Sequence, residues 1–313
     1  MSLYDTSKQR KQKGFCKMVI MCTGSTGFIG SHLCKRLGEG IALVHNDNPH
    51  PLLPEALDGF IKVRGDVRDF DLLLETMAKY KVNTVIHLAA HSIVKTAALM
   101  PRQVFEMNAI GTLNVLEAAR QAKVGFVVVQ ASDKVYGEGT DRTILSPLTA
   151  SDPYGTSKVC TDYITQCYAK TYAMKIAVTR PCNVYGYDLA NRIVPNTIRA
   201  CMHKENPVIF KGDTTTRQYL YVSDMVDALC FIVKNKFEGT WNVATDSKER
   251  YTQEEVVQEI AAYFSVTPQY VEPPELYEIK NQSIVCNLKE WKAKYDISDG
   301  IKETVKEFKK RGF

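Results

Sequence analysis

Residues 153–158, PYGTSK, place a tyrosine four positions before a lysine. Asp152 and Pro153 are typical of a helix start, because Asp is a good N-cap and the missing N–H of proline has no partner in the first turn. On such a helix Tyr154 and Lys158 lie on one face, about a turn apart. A nearby positive charge favours the ionised form of a phenol. The pair therefore predicts a general base, and the alternative interpretation is an ordinary surface helix.

Three glycines, Gly24, Gly27 and Gly30, follow an apolar segment in CTGSTGFIG. Their spacing differs by one residue from the G-x-G-x-x-G of the common dinucleotide fingerprint. Glycines let the backbone approach a pyrophosphate, whose charge is then stabilised at the N-terminus of the following helix. The strand–loop–helix context predicts a dinucleotide cofactor. Further predicted cofactor contacts in this loop are Thr26, Phe28 and Ile29.

Two acidic residues after the next strands are candidates for binding the adenosine half of that cofactor. Asp47 lies 17 residues past Gly30, near the roughly 20 residues expected for a ribose-binding acid; the alternative is a turn residue in HNDNP. Asp66, in GDVRD, is placed to accept from the adenine amino group. Between Arg36 and Lys62 the sequence has no Lys or Arg for a 2′-phosphate, so NAD is predicted in preference to NADP.

Strand and helix patterns alternate through the first half of the chain. Strands are predicted over 17–24, 41–45, 60–66, 83–90, 125–132 and 175–181, and helices over 28–39, 70–80, 101–122 and 153–172. Continuous apolar strands alternating with helices indicate a parallel sheet that is covered on both faces. The predicted fold class is α/β, a Rossmann-type doubly wound parallel sheet with a smaller C-terminal substrate-binding lobe.

Beyond about residue 180 the pattern becomes irregular. A short strand is predicted over 207–210, and helices over 223–235, 252–264 and 300–310. The predicted domains are a disordered leader over 1–16, an NAD-binding domain over 17–180 and mainly the substrate lobe over 181–313, with segments that can interleave.

Composition excludes several classes of protein. The 313 residues carry a formal net charge of +5, too mild to indicate nucleic-acid binding, whereas an anionic small molecule is a natural partner. Nine cysteines without regular spacing indicate buried thiols in a reducing compartment. The sequence contains no signal-peptide pattern and no apolar run of about 18 residues. The sequence therefore predicts a cytoplasmic protein that binds neither membrane nor nucleic acid.

Eight motifs in order resemble the extended short-chain dehydrogenase/reductases of the nucleotide-sugar epimerase/dehydratase family. They are TGSTGFIG, GDVRD, VIHLAA, the MNAIGT stretch, SDKVYG, PYGTSK, RPCNVYG and RQYLYVSDMVDA. The resemblance extends over roughly residues 17–310. It implies an enzyme that transiently oxidises the C4 hydroxyl of a nucleotide-diphosphate sugar and passes the hydride to bound NAD.

Within that resemblance Tyr154 is the implied base, Lys158 lowers its pKa and holds the nicotinamide ribose, and Ser132 hydrogen-bonds the 4-hydroxyl. The next two residues, Asp133 and Lys134, distinguish the activities. Family epimerases usually carry small, non-ionisable residues there, whereas 4,6-dehydratases carry an acid followed by Glu or, in a CDP-glucose-dehydratase-like subgroup, Lys. Asp133 is then the acid at the C6 oxygen, and Lys134 is the base at C5 or positions it. The alternative interpretation is a solvent-facing ion pair.

The resemblance also implies residues that bind the substrate and further residues that contact the cofactor. Asn183, Arg192, Arg217 and Tyr219 are predicted to bind the substrate, the two arginines because a planar guanidinium binds phosphate oxygens two at a time. No metal site is predicted. The remaining predicted cofactor contacts are Val67, Leu88, Ala89, Ala90 and Asn108.

The leading hypothesis is an NAD-dependent nucleotide-sugar 4,6-dehydratase. A 4-epimerase of the same family is the alternative, and a non-catalytic NAD-binding regulator is a remote one. A homodimer through the helices over 101–122 and 153–172 is expected from the resemblance.

Overall fold

The computed structural model of the protein describes residues 18–45, 51–246, 248–273 and 281–312. Asp47 and the predicted leader over 1–16 lie outside the described residues. Among the described residues, no helix combines the length and apolar character needed to cross a membrane.

The described residues form strands and helices in alternation through the first half of the chain. The strands, numbered β1 to β15 in chain order, are Ile20–Thr23, Gly40–Val44, Phe60–Arg64, Thr84–His87, Phe126–Gln130, Gly139–Arg142, Ile176–Pro181, Asn183–Tyr185, Val208–Phe210, Thr216–Arg217, Tyr219–Tyr221, Gly239–Val243, Tyr251–Thr252, Gln269–Val271 and Gln282–Ile284. The α-helices, numbered α1 to α10 in the same way, are Phe28–Leu37, Phe70–Lys79, Val94–Leu99, Pro101–Phe105, Gly111–Gln121, Pro153–Thr171, Ile193–Met202, Val222–Asn235, Gln253–Phe264 and Ile297–Lys310.

The chain divides into two compact units. The first contains the described residues up to Ala131, with Ser151–Thr179 and Val226–Thr240. The second contains Ser132–Ala150, Arg180–Met225 and the described residues from Trp241 onward. Two segments thus differ from the division at residue 180 that the sequence predicts: Ser132–Ala150 belongs to the second unit, and Val226–Thr240 belongs to the first.

A seven-stranded sheet, in the order β12-β7-β5-β4-β1-β2-β3, is the main sheet of the described residues. The pairs from β3 through β7 are all parallel. The order turns at β1, as in doubly wound dinucleotide-binding folds. The predicted fold class is therefore confirmed, and the carboxyl edge of the sheet beside β1 and β4 is the expected cofactor edge.

Apolar residues on these strands explain the sheet's stability. Met21, Val85, Val127 and Val129 are buried from solvent and pack in one cluster with side chains of α2 and α5. β-branched residues on strands that are buried on both faces give the continuous apolar runs seen in the sequence.

The predicted helix over 101–122 is interrupted in its winding. α4 ends at Phe105, a π-helical turn follows over Glu106–Ile110, and α5 begins at Gly111. Apolar spacing does not reveal such a turn, because the flanking residues keep their helical pattern. π turns are frequent at functional sites.

The second unit contains small sheets and the remaining helices. Its largest sheet has the order β13-β10-β15-β6, and β8 pairs with β11 and β9 with β14. α7 packs against α9. α7 was not predicted from the sequence because Pro195 lies near its start; a proline is tolerated there, in the first turn, since its absent N–H has no helical partner.

Candidate active site

In the loop after β1, Gly24 and Gly30 lie so close to other backbone atoms that a side chain would not fit. Gly24 has φ +68°, and a Cβ there would lie 2.6 Å from the backbone nitrogen of Ala89. A Cβ on Gly30 would overlap the carbonyl oxygen of Gly24. α1 begins directly after the loop with Gly27 as its N-cap, and its first turn contains no acidic residue. A helix N-terminus reached through a glycine loop fits a pyrophosphate.

The loop after β4 lies against the glycine loop. The backbone N–H of Leu88 donates to the Thr23 carbonyl at 3.3 Å, and that of Ala89 donates to Thr23 Oγ1 at 3.3 Å. The structure thus brings the predicted cofactor residues after β1 and β4 together at one edge of the sheet. This is the arrangement that a dinucleotide requires, so the residues present fit NAD.

Asp66, after β3, is held by two neighbours. Its carboxylate accepts from Arg68 Nη2 at 2.6 Å and contacts His45 Nε2 at 2.9 Å. Burial disfavours the charged form, but the hydrogen bonds from Arg68 and His45 outweigh it and lower the pKa of Asp66 to about 2. The carboxylate therefore has protein partners of its own, and its contact with adenine stays a prediction. His45, at the end of β2, was not identified from the sequence.

His87, the last residue of β4, is buried between two threonines. Its Nδ1 lies 2.7 Å from Thr23 Oγ1 and its Nε2 lies 3.0 Å from Thr112 Oγ1. Thr112 Oγ1 donates to the Asn108 carbonyl at 2.6 Å, so it accepts from His87 Nε2–H, and Nδ1 accepts from Thr23. Burial, with a smaller effect of the Lys158 charge, lowers the pKa of His87 to about 3. His87 is thus a neutral structural residue.

Asn108 lies in the π turn and joins three elements. Its carbonyl accepts from Thr112 and, at 2.8 Å, from Thr161 of α6. Its side-chain oxygen accepts from the backbone N–H of His91 at 2.8 Å, and Nδ2 lies 2.9 Å from Ser157 Oγ. These bonds fix the loop after β4 relative to α6. The direct cofactor contact predicted for Asn108 stays a prediction.

The predicted catalytic helix is α6. Asp152 is its N-cap and accepts from the Gly155 N–H at 2.9 Å. Tyr154 is largely buried, in contact with Ala97 of α3 and Val104 of α4. The structure therefore places the tyrosine in a fixed position rather than on a free surface helix.

Lys158 is buried one turn further along α6. Its Nζ donates to the carbonyl of Gln130, the last residue of β5, at 2.9 Å. Burial lowers the pKa of Lys158 to about 8. The ammonium is therefore held at the carboxyl edge of the sheet. Gln130, which accepts its hydrogen bond, lies two residues before Ser132 in the chain.

Two polar side-chain atoms at this edge have no protein partner. Gln130 Oε1 and Thr179 Oγ1 are buried without a hydrogen bond, and their residues are register partners on β5 and β7. Buried polar atoms are rarely left unsatisfied. Their location at the ligand-binding edge of a parallel sheet fits a bound polar group, and no motif in the sequence identified them.

In the second unit, Ser132, Asp133 and Lys134 form one turn. Ser132 caps a short 3₁₀ helix over Asp133–Tyr136, and its Oγ accepts from the Lys134 N–H at 3.2 Å. The same Oγ donates to Asp133 Oδ1 at 3.0 Å. All three residues are buried. The interpretation of Asp133 and Lys134 as a solvent-facing pair is therefore wrong for this structure.

The Lys134 ammonium faces three oxygen atoms. Nζ lies 3.3 Å from Asp133 Oδ2 and 3.1 Å from Asn183 Oδ1, and it also contacts Gln282 Oε1. Asn183 Nδ2 in turn donates to the Gln218 carbonyl at 2.9 Å. Asn183 thus binds Lys134, and its predicted contact with the substrate phosphates stays a prediction. Gln282 was not identified from the sequence, which has no motif around it.

The two predicted phosphate-binding arginines each lie beside a carboxylate. Arg192 forms an ion pair with Asp188, and Arg217 Nη1 lies 4.0 Å from Asp213 Oδ2. Their contact with substrate stays a prediction.

Tyr219, another predicted substrate residue, is buried on β11 as the register partner of Asn183, and burial raises its pKa to about 12. Asp224, in the first turn of α8, accepts from the backbone N–H groups of Lys294 and Tyr295 at 3.1 and 3.0 Å.

A parallel doubly wound sheet with a glycine loop and a Tyr–Lys helix defines an NAD-binding protein of the epimerase/dehydratase class. Residues 20–244 match the model of the NAD dependent epimerase/dehydratase family. The chain belongs to that family, which confirms the predicted family and its cofactor, NAD.

The similar proteins include both 4,6-dehydratases and 4-epimerases. The chain is 29% identical over 257 residues to a dTDP-D-glucose 4,6-dehydratase of Dictyostelium discoideum; the match covers 72% of this chain and 58% of that protein. It is 26% identical to the human dTDP-D-glucose 4,6-dehydratase over 93% of this chain and 90% of the human protein. The crystal structure of a UDP-glucose 4-epimerase of Thermus thermophilus in complex with NAD is 26% identical, with a TM-score of 0.83 over 94% of this chain and 99% of that one.

Proposed function

We propose that the protein is an NAD-dependent nucleotide-sugar 4,6-dehydratase, which converts a nucleotide-diphosphate hexose into its 4-keto-6-deoxy derivative and water. The observation that carries this proposal is the buried Asp133–Lys134 pair directly after the strand end that holds Lys158. An ionisable pair at this position is needed for water loss and has no function in an epimerisation. The two dehydratase relatives support the same activity.

In the first step, the oxidation of the sugar at C4, residues of α6 handle the proton. The phenolate of Tyr154 accepts the proton of the sugar 4-hydroxyl as C4 becomes a ketone, and the Lys158 ammonium stabilises the phenolate. Bound NAD would supply a hydride acceptor for C4 and a hydride donor for C6. Gly24, Gly27 and Gly30 are the residues that would hold its pyrophosphate.

In the second step, the loss of water across C5 and C6, residues of the turn after β5 handle the proton. A ketone at C4 makes the C5 proton acidic, so a base removes it and its electron pair forms the C5–C6 double bond. The C6–O bond breaks at the same time, and the departing hydroxyl takes up a proton and leaves as water. Asp133 supplies that proton. Once the hydride is on C6, C5 takes up a proton, which is balanced by the one that Tyr154 removed from O4, and the 4-keto-6-deoxy sugar is complete.

The diphosphate of the substrate is proposed to bind Arg192 and Arg217. Each arginine now lies near a carboxylate, Asp188 or Asp213, which a phosphate would have to displace or share. Guanidinium groups bind phosphate oxygens in pairs, which suits a diphosphate.

We also propose a cytoplasmic homodimer that binds neither nucleic acid nor membrane. The eight cysteines of the described residues are free thiols, which suits a reducing compartment. α5 and α6 pack against each other. Tyr163 on α6, Tyr172 directly after α6 and Ile110 in the π turn before α5 are exposed. Apolar side chains on this pair of helices suit a second copy of the chain.

A panel of nucleotide-diphosphate hexoses tests the activity. Purified protein is incubated with each sugar, and the product is analysed by mass spectrometry. Loss of one water supports the dehydratase, whereas an isomer of unchanged mass identifies an epimerase and overturns the proposal. The Tyr154→Phe variant is the control: it should still bind NAD in a fluorescence titration but lose turnover by more than about a hundredfold.

A further inference from the structure

The hydrogen-bond partners of the Lys134 side chain match its charged ammonium form better than its neutral amine form. The nitrogen faces one carboxylate oxygen and two amide oxygens, on Asp133, Asn183 and Gln282. An ammonium has three N–H donors and no acceptor, whereas a neutral amine has two donors and a lone pair. Three oxygen acceptors are therefore matched by the ammonium.

The orientation of both amides is determined by bonds at their other ends. Gln282 Nε2 donates to the Gly137 carbonyl at 3.0 Å, and Asn183 Nδ2 donates to the Gln218 carbonyl at 2.9 Å. A flipped amide would direct its NH₂ group at the ammonium and its oxygen at a carbonyl. Each amide oxygen is thus directed at Lys134 by a backbone acceptor behind it.

Gln282 is also held by its strand. It lies on β15, where its register partners are Arg217 on β10 and Gly139 on β6. The side chain is buried. A buried amide on the central part of a sheet has little freedom to move, so the position of its oxygen is fixed before any substrate binds.

Asp133 is left as the proton carrier of the pair. Its Oδ1 accepts from Ser132 Oγ and its Oδ2 accepts from Lys134 Nζ. Hydrogen bonds accepted at both oxygens favour the carboxylate form. Such a group must first act as a base before it can act as an acid.

We propose that Gln282 is a positioning residue that holds Lys134 as a fixed cation beside Asp133, so that Asp133 carries one proton from C5 to O6. This inference rests on the proposed dehydratase activity. Asp133 takes the C5 proton as the C5–C6 double bond forms, and it gives the same proton to the hydroxyl that leaves C6. The carboxylate is restored, and the elimination of water balances without a further acid or base. The proton that C5 takes up after hydride return is balanced by the one that Tyr154 removed from O4.

Two separable readouts test the role of Gln282. Single-turnover experiments with the holoenzyme measure the absorbance of reduced nicotinamide, which reports C4 oxidation, and the mass of the product, which reports water loss. Gln282→Met should slow water loss by roughly ten- to a hundredfold, as expected for a lost hydrogen bond to a charged group. C4 oxidation should persist, so reduced nicotinamide should accumulate. Equal slowing of both steps, or of neither, overturns the inference.

Variants of Lys134 separate a fixed cation from a base. Lys134→Arg keeps the charge but cannot accept a proton, so it should retain more water loss than Lys134→Gln. Equal loss in both variants contradicts a purely electrostatic role. In the double variant of Gln282→Met and Lys134→Gln, the two losses should not add, because Gln282 acts through Lys134. Additive losses would show that it acts independently.

Controls exclude a general loss of structure. Gln253 is a comparably buried glutamine in the second unit that accepts from the Phe210 N–H at 2.9 Å. Gln253→Met should lower stability while leaving the ratio of water loss to C4 oxidation unchanged.

A readout without substrate is the ¹⁵N spectrum of the lysine side chains. An ammonium resonance that disappears in Lys134→Gln should be slow to exchange with water and should shift in Gln282→Met. A wild-type enzyme that produces only an isomer overturns the proposed function, and the inference with it. A wild-type dehydratase with an unaffected Gln282→Met variant overturns the inference alone.

Discussion

Replacing Lys158 by Met should change how the free energy of unfolding depends on pH. Lys158 is buried, and its Nζ donates to the Gln130 carbonyl at 2.9 Å. Burial lowers its pKa from the ordinary value of 10.5 to about 8. Folding below pH 8 therefore requires a charge to be buried, whereas folding above that pH does not.

The sign and the size follow from linkage between protonation and folding. Between about pH 8 and 10.5 the unfolded chain carries a proton on Lys158 that the folded protein has lost, so the stability of the wild type rises with pH there. At 1.36 kcal/mol for each pH unit, the interval of about 2.5 units amounts to about 3 kcal/mol. Below pH 8, and above 10.5, this contribution should no longer change.

Urea unfolding of the wild type and of Lys158→Met, measured from pH 7 to 11, gives this quantity as a difference. All other titrating groups cancel between the two proteins. The matched control is Lys170→Met, which removes an exposed lysine from the same helix. The difference for Lys158→Met should rise by about 3 kcal/mol in favour of the wild type. A flat difference, like that of the control, would refute the claim that Lys158 is desolvated.

Three further predictions concern other residues. Gly24→Ala should destabilise the protein by roughly 1–3 kcal/mol and weaken NAD binding, because its φ is +68° and the new Cβ would meet the Ala89 backbone; urea unfolding and a cofactor titration measure the two effects. Because the pKa of His87 is lowered to about 3, its contribution should make stability fall by about 1.4 kcal/mol for each pH unit between pH 6.5 and about 3, and His87→Asn should lack this contribution in acid unfolding. Asp224→Ala leaves two backbone N–H groups, those of Lys294 and Tyr295, without their acceptor and should cost roughly 2–4 kcal/mol in thermal or urea unfolding; a loss below 0.5 kcal/mol would contradict this role.

The helix that carries Tyr154 and Lys158 was predictable because its signals are local. Asp152 and Pro153 mark the start of α6 within two adjacent positions, and the structure has the helix at Pro153–Thr171. Gly24 was predictable for the same reason, since a glycine between a strand and a helix marks a close backbone approach. Such features depend on a few neighbouring residues and need no knowledge of the rest of the fold.

The π turn and the short strands could not be predicted in this way. Asn108 lies in a turn where its carbonyl accepts from threonine hydroxyls on α5 and α6. Residue spacing in the sequence does not reveal these partners. β10 contains two residues and β15 three, too few for a period to be visible. Residues in such strands take their conformation from the strands beside them.

The family, the parallel sheet, the glycine loop and the shared helix of Tyr154 and Lys158 could all be read from the sequence. Each depends on residue types at short spacing, which a helix or strand converts directly into a shared face or edge. The partners of Lys134, in contrast, follow only from the tertiary structure. Its partner Gln282 lies 148 residues away in the chain, and only the pairing of β15 between β10 and β6 places that amide oxygen against the ammonium.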